Sequence, residues 1–223
     1  MDVALYSLRD EYDKYAAECE CGLRTVFARL KNLSREMELS DKRSPFASIE
    51  YRLKDFDSAI EKCKRRGWEN DINTIKREMK DIAGIRIIVP YVDDIYTVLR
   101  ALTRQPSMTV VERKDYVKNP KENGYRSLHL IVEMDIYFME TSKRIPVEIQ
   151  IRTEAMDLWA SQEHRLHYKN ANPSPETVER FSTLAKVLAD FDEQAMALRD
   201  FRSNEENCPV EEVHDNIGVI VEN

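Results

Sequence analysis

Residues 127–152 read SLHLIVEMDIYFMETSKRIPVEIQIR. In the first part Leu128, Leu130 and Val132 fall on one side, and His129, Ile131 and Glu133 on the other. The last part does the same: Val147, Ile149 and Ile151 oppose Glu148, Gln150 and Arg152. A period of two marks a strand with one apolar and one polar face. The segment predicts strands over Ser127–Asp135 and Ile145–Ile151, joined by a turn at Thr141–Arg144. If they pair, His129 and Glu148 share a face. An ordinary antiparallel strand also has a solvated face, so alternation alone does not make that face a site.

Upstream lies RKDYVKNPKENGYRSLHL, residues 113–130. Arg113, Lys114, Lys118, Lys121 and Arg126 stand against Asp115 and Glu122, a local balance of +3 in a chain whose net charge is −7. A basic loop in an acidic protein suits a polyphosphate ligand. Tyr125 and His129 add an aromatic plane and an imidazole beside those cations. Before the loop, residues 109–113 predict a short strand. GIRIIVP, residues 84–90, is a β-branched run closed by proline, which predicts a buried strand. Arg86 is the odd residue in that run. Burying an arginine is costly unless it is paired or faces a cleft that holds an anion. Asp81 sits at the entrance to the strand, where carboxylates often meet Mg²⁺.

The flanks are helical. From Leu8 to Met37 apolar residues recur every three or four positions, a long amphipathic helix expected to pack on another long helix, its own C-terminal one or a second subunit's. Gly22 weakens it locally. Ser44-Pro45 predicts the start of a helix carrying Phe46, Ile49, Leu53, Phe56, Ile60 and Cys63 and stopped by Gly67. That assignment places Arg52 and Lys54 mid-helix. A short helix from Asp71 to about Lys80 follows, and Asp93-Asp94 is expected to cap another. Thr153 predicts a cap for a helix to about Lys169, and Ser174 one for a final long helix. The segment after Asn207 is expected to be weakly ordered. These elements predict an α+β fold: a mixed β-sheet of four to five strands flanked by long N- and C-terminal helices. The expected units are a helix over 1–43, a central domain over 44–170, a helix over 171–206 and a tail over 207–223.

Composition narrows the class. Hydrophobic residues make up 42% of the 223 and charged residues 34%, with five Gly and eight Pro, as in a soluble, helix-rich protein. No apolar run approaches the ~20 residues of a membrane span, and the N-terminus is too charged for a signal peptide. Cys19, Cys21, Cys63 and Cys208 have no CxxC or zinc spacing and read as free thiols in a reducing cytoplasm. A net charge of −7 disfavours a broad nucleic-acid footprint. Two carboxylates, several cations and an aromatic platform, without an activated nucleophile, suit phosphoryl-type transfer. No GxxxxGKT loop is present, so side-chain cations would have to hold a triphosphate.

Three ordered stretches carry a family resemblance: Asp81-Ile82-Ala83-Gly84-Ile85-Arg86, Asp115 through His129, and Val147-Glu148-Ile149-Gln150-Ile151-Arg152-Thr153. They closely resemble the RelA/SpoT synthetase motifs, with Glu163-His164 and Tyr168-Lys169 following at the family's spacing. The likeness covers about residues 44–170. With no hydrolase or regulatory domain, the chain looks like a stand-alone small alarmone synthetase of nucleotidyltransferase-like fold. The resemblance implies Mg²⁺-dependent transfer of the β,γ-pyrophosphate of ATP to the 3′-hydroxyl of GDP or GTP, giving ppGpp or pppGpp in stringent-response signalling. It implies that Asp81 holds Mg²⁺ and that Glu148 is the general base and shares the metal. Arg52, Lys54, Lys62, Arg86 and Lys114 would bind ATP. Lys118, Lys121, Asn123, Tyr125, His129, Gln150 and His164 would bind GDP or GTP, with Tyr125 stacked on guanine. Relatives of this architecture form homotetramers. No membrane is implied, and nucleic acid is disfavoured. Two alternatives remain at this point: a relative that pyrophosphorylates the 3′ end of tRNA, and a non-catalytic nucleotide-binding module.

Overall fold

A computed structural model describes residues 3–41, 43–167 and 174–206. The order is α1 (Val3–Asp41), β1 (Ser48–Leu53), α2 (Phe56–Arg66), α3 (Ile72–Glu78), β2 (Ala83–Val89), α4 (Val92–Thr103), β3 (Thr109–Asp115), β4 (Leu128–Tyr137), β5 (Ser142–Thr153), α5 (Glu154–His167) and α6 (Pro175–Glu206). The strands form one sheet in the order β1-β2-β5-β4-β3. Only β2 and β5 run parallel; the other pairs are antiparallel. The expected α+β class with a mixed sheet and two long terminal helices is what the chain adopts, with five strands among the described residues.

The alternation in β5 places Val147, Ile149 and Ile151 at zero exposure on one face. Ile85, Ile87 and Val89 of β2 and Leu128, Leu130 and Val132 of β4 join them there. Residues of α1 to α4 close over this face in a single core. The opposite face of the sheet holds the polar residues. Pairing across five strands sets them in two rows. One row runs Arg52, Gly84, Glu148, Ile131, Glu112; the next runs Glu50, Arg86, Gln150, His129, Lys114.

Four local expectations change. Residues 48–53 are a strand, not part of a helix begun at Ser44-Pro45. Asp55 is the true N-cap of α2, accepting from the Ser58 amide at 2.8 Å, and Gly67 closes that helix in the left-handed conformation. Ile49 and Leu53 therefore alternate along an edge strand on β2 rather than lining a helix. Arg52 and Lys54, expected mid-helix, sit on and just after that strand. The α1 stripe is real: Leu8, Tyr12, Tyr15, Cys19, Leu23, Val26 and Leu30 are buried. Within the chain its partner is the sheet, with β5 and β2 beneath it, rather than the C-terminal helix. A Cβ on Gly22 would lie 2.5 Å from Ile145 Cγ2, so the glycine lets the helix seat directly on β5. Finally, α4 is capped at Tyr91, and Asp94 is drawn inward by a two-pronged pairing with Arg43 at 2.8 Å on each arm.

Thr153 and Ser174 do cap α5 and α6, accepting from the Met156 and Thr177 amides. Cys19, Cys21 and Cys63 are free thiols. The expected end of the helix at Lys169, the Tyr168-Lys169 pair, Cys208 and the tail after Asn207 lie outside the described residues. No helix among the described residues is long and apolar enough to cross a membrane.

Candidate active site

Glu148 stands mid-strand on the polar face, with an open cleft on either side. Toward β1 a cleft of about 400 Å³ is lined by Glu50, Arg52, Gly84, Arg86, Glu148 and Gln150. Toward β3 a smaller cleft of about 220 Å³ is lined by Glu112, Lys114, His129, Ile131 and Glu148. The row position of Gly84 explains the first cleft. It lies between Arg52 and Glu148 and has no side chain to fill the floor.

The Glu148 carboxylate is held from two directions. Its Oε1 lies 3.2 Å from His129 Nδ1, and its Oε2 accepts from Gln150 Nε2 at 2.9 Å. His129 Nε2 meets the Tyr125 hydroxyl at 2.8 Å. Arg152 NH2 donates to both the Tyr125 hydroxyl at 2.7 Å and Gln150 Oε1 at 2.9 Å. The five side chains thus form a closed ring. Burial by itself would raise the Glu148 pKa, but the hydrogen bond from His129, the positive charge that imidazole carries when protonated, and the hydrogen bond from Gln150 together outweigh it and hold the carboxyl below its ordinary range.

Asp81 precedes β2 and is gripped by two lysines, Lys62 at 2.7 Å and Lys54 at 3.3 Å. Burial opposes its charge, and the two ammonium groups overcome that opposition and lower its pKa. Its charge also reaches Glu148, whose proton affinity it raises. Asp81 and Glu148 are therefore two ionised carboxylates within electrostatic reach of each other. That donor set fits Mg²⁺, a hard cation that takes one or two protein carboxylates and completes its shell with phosphate oxygens and water. Among the described residues no group of three or more potential ligands forms an all-protein metal cage.

The structure gathers the expected ATP residues unevenly. Arg52 and Arg86 line the β1-side cleft, and Lys54 and Lys62 are held on Asp81 at the entrance to β2. Lys114 lies across β5 and β4 in the other cleft, ion-paired to Glu112 at 2.5 Å. Among the expected guanosine residues, His129 and Gln150 belong to the ring. Tyr125 does too, and its ring also packs against Trp159 at 6.1 Å between centroids. Trp159 belongs to a second small core with Phe181 and Ala185 of α6. Asn123 accepts from the Tyr125 amide and donates to Glu163 at 3.3 Å. Gly124, at φ +89°, presses on Ala185, where a Cβ would come within 2.4 Å. The loop is thus shaped against α6. The Lys121 ammonium lies over both Tyr116 and Tyr125, at 4.8 and 5.0 Å. Lys118 lies over Tyr96 instead, and His164 is exposed on α5.

Two residues were missed as site residues. Arg152 shows the correct alternation in sequence, yet nothing there says that its guanidinium is buried and feeds two site residues. Asp157 reads as an acidic first-turn residue that favours the helix dipole. In the fold its Oδ1 accepts from Arg152 at 3.1 Å and lies 3.5 Å from Arg86. The available signal was position: α5 starts at the carboxyl end of a central strand, where ligands of open sheets collect.

The sequence profile described as a region found in RelA / SpoT proteins matches residues 51–173. The chain is 38% identical over 168 residues to GTP pyrophosphokinase YwaC of Bacillus subtilis, covering 75% of this chain and 80% of that one. It is 34% identical over 191 residues to GTP pyrophosphokinase YjbM of the same organism, covering 85% and 89%. The crystal structure of small alarmone synthetase 1 from Bacillus subtilis bound to its product pppGpp superposes with a TM-score of 0.78 at 33% identity, covering 85% of this chain and 96% of that one. The chain belongs to the RelA/SpoT family. Its proportions and fold are those of the family's small alarmone synthetases.

Proposed function

We propose that the protein transfers the β,γ-pyrophosphate of ATP to the 3′-hydroxyl of GDP or GTP, yielding AMP and ppGpp or pppGpp, with residues 44–170 as the catalytic unit. The reading rests above all on one observation: Glu148 lines both clefts. A base for group transfer has to touch the acceptor's proton while facing the donor's phosphorus. ATP takes the β1-side cleft, where Arg52 and Arg86 meet its phosphates and adenine and Lys54 and Lys62 stand beside Asp81. The guanosine nucleotide takes the His129 side and the basic loop, with Tyr125 against the base. Lys114 faces this second cleft, so its charge serves the phosphates where donor and acceptor meet. Glu148 accepts the 3′-hydroxyl proton, the 3′-oxygen bonds to the β-phosphorus, and the bond from that phosphorus to the α,β-bridging oxygen breaks to release AMP. With a pKa below the ordinary glutamate value, Glu148 is ionised at neutral pH, as a proton acceptor must be. Asp81 and Glu148 would hold Mg²⁺, which when bound neutralises charge on the phosphates.

The test is product analysis. Purified protein with Mg²⁺, ATP labelled in the β,γ-phosphates and GDP or GTP should yield a labelled tetra- or pentaphosphate and AMP. Label on tRNA alone, or binding without turnover, would replace this reading with one of the two alternatives. We also place the protein in the cytoplasm, in stringent-response signalling, as a homotetramer. On α6, Leu184, Val187, Phe191, Leu198 and Phe201 are exposed at spacings of three, four, seven and three residues, the seam of a helix–helix contact. Light scattering should give the mass of four chains, and Phe191→Glu with Leu198→Glu should lower it.

A further inference from the structure

The five-membered ring has a direction, and its source is Arg152. A guanidinium carries only donors. Its side chain is 7% exposed; NH1 and NH2 find acceptors inside the protein, while Nε is buried without a partner. Asp157 takes NH1. NH2 supplies Gln150 Oε1 on one side and the Tyr125 hydroxyl oxygen on the other. Each receiver is thereby oriented. With its oxygen facing Arg152, the Gln150 amide nitrogen must point to Glu148 Oε2, as it does. With its oxygen already accepting, the Tyr125 hydroxyl has its own hydrogen left for His129 Nε2. His129 Nε2 then accepts, and the ring's proton belongs on Nδ1, which faces Glu148 Oε1 at 3.2 Å.

We propose that Arg152 is a positioning residue for Glu148: through Tyr125 and His129 on one arm and Gln150 on the other, it aims two hydrogen bonds at the carboxylate and imposes the Nδ1–H tautomer on His129. Free imidazole side chains favour the other tautomer, so the arrangement is a constraint the fold applies. Asp157 extends it, because the carboxylate that orients Arg152 also lies beside Arg86 in the opposite cleft. The inference rests on Glu148 being the reactive carboxylate for its functional meaning, but the tautomer can be measured without that assumption.

The decisive measurement is ¹⁵N NMR of the histidine rings in the full-length protein, with His129 assigned by its loss in His129→Asn. In the wild type both Glu148 and the Arg152 arm favour Nδ1–H, so the informative variant is Glu148→Ala, which deletes the acceptor on Nδ1. His129 is expected to stay Nδ1–H there, because Tyr125 still donates to Nε2. Adding Tyr125→Phe or Arg152→Met to that background should switch it to Nε2–H. Nε2–H in Glu148→Ala alone, or in the wild type, would overturn the proposal, and the wild-type result stands even if Arg152→Met does not fold. With Glu148 intact, Tyr125→Phe should lower kcat about tenfold, the loss of one hydrogen bond, with a smaller change in acceptor KM because the ring remains. An unchanged kcat would confine Arg152 to a structural role. The two hypotheses separate cleanly: a Glu148→Gln variant with wild-type turnover would sink the base assignment and leave the tautomer result untouched.

Discussion

The two faces of β5 are built from alternate residues of one strand, and they obey different rules. Val147, Ile149 and Ile151 sit at zero exposure among the residues of α1 to α4. Any apolar side chain of similar volume would serve there, because dispersion and burial are not directional. Glu148, Gln150 and Arg152 are tied into a ring in which each bond dictates the orientation of the next. One face holds the molecule together, and the other spends fold energy to hold charges in a fixed arrangement. Substitutions on the two faces should therefore separate stability from chemistry.

The sharpest break would come from Glu148→Gln, which keeps size and burial but loses the base. We expect kcat to fall by about 10²–10⁴, with a drop in melting temperature smaller than that of the core variant below, because a neutral amide cannot accept from both His129 and Gln150; nucleotide product formation beside calorimetry measures both. The mirror experiment on the other face is Ile149→Ala. It should cost about 2–5 kcal/mol in denaturant unfolding while the folded fraction keeps its substrate KM values. A large KM change there would mean that the two faces are not independent. Tyr125→Ala should raise the guanine-nucleotide KM by about one to two orders of magnitude, from a stacking loss of ~1–3 kcal/mol, and an unchanged value would remove Tyr125 from the base platform.

Smaller effects refine the comparison. Gly22→Ala adds helix propensity worth about 1 kcal/mol but drives a methyl into Ile145 on a packed strand. Overpacking costs about 1–3 kcal/mol, so the net change should be a melting temperature lower by a few degrees. A higher one would show that α1 can lift from β5 at no cost. On the polar face, the Glu148 pKa is lower in the folded protein than in the unfolded chain. Its contribution to stability is then present above the unfolded value, about 4.3 for a glutamate, and is lost as pH falls through the lower folded value. Activity should share that acid limb. His129→Asn removes the imidazole whose hydrogen bond and charge lower it and should move the limb to higher pH; a limb that stays in place would mean that Glu148 does not govern it.

The legible part of the fold follows from periodicity. Alternation exposed β4, β5 and the partition of their faces, the β-branched run exposed β2, and the three–four spacing exposed the α1 stripe. Where the sequence misled, two periods competed over one short segment. Ile49, Leu53, Phe56 and Ile60 satisfy a helical spacing across 46–63, yet Ile49 and Leu53 equally satisfy a strand. Pairing with β2 and the Asp55 cap decided the matter, and both are visible only once β2 is placed beside it.

The same division holds for the site. Chain-local chemistry determined that Glu148, Gln150 and Arg152 share a face, that a basic loop with Tyr125 precedes His129, and that Arg86 is out of place in an apolar strand. Only the tertiary structure decided that Glu148 stands between two clefts, that Gly84 leaves the floor of one of them open, and that Lys114 falls on the far side from Arg86. It alone turned Asp157 from a helix-dipole residue into the link between Arg86 and Arg152. The reason is physical: side-chain period is set by bonds between neighbours along the chain. Cleft shape and hydrogen-bond direction are set by which strands lie beside each other, and β5 reaches its neighbour β2 across more than fifty residues of intervening chain.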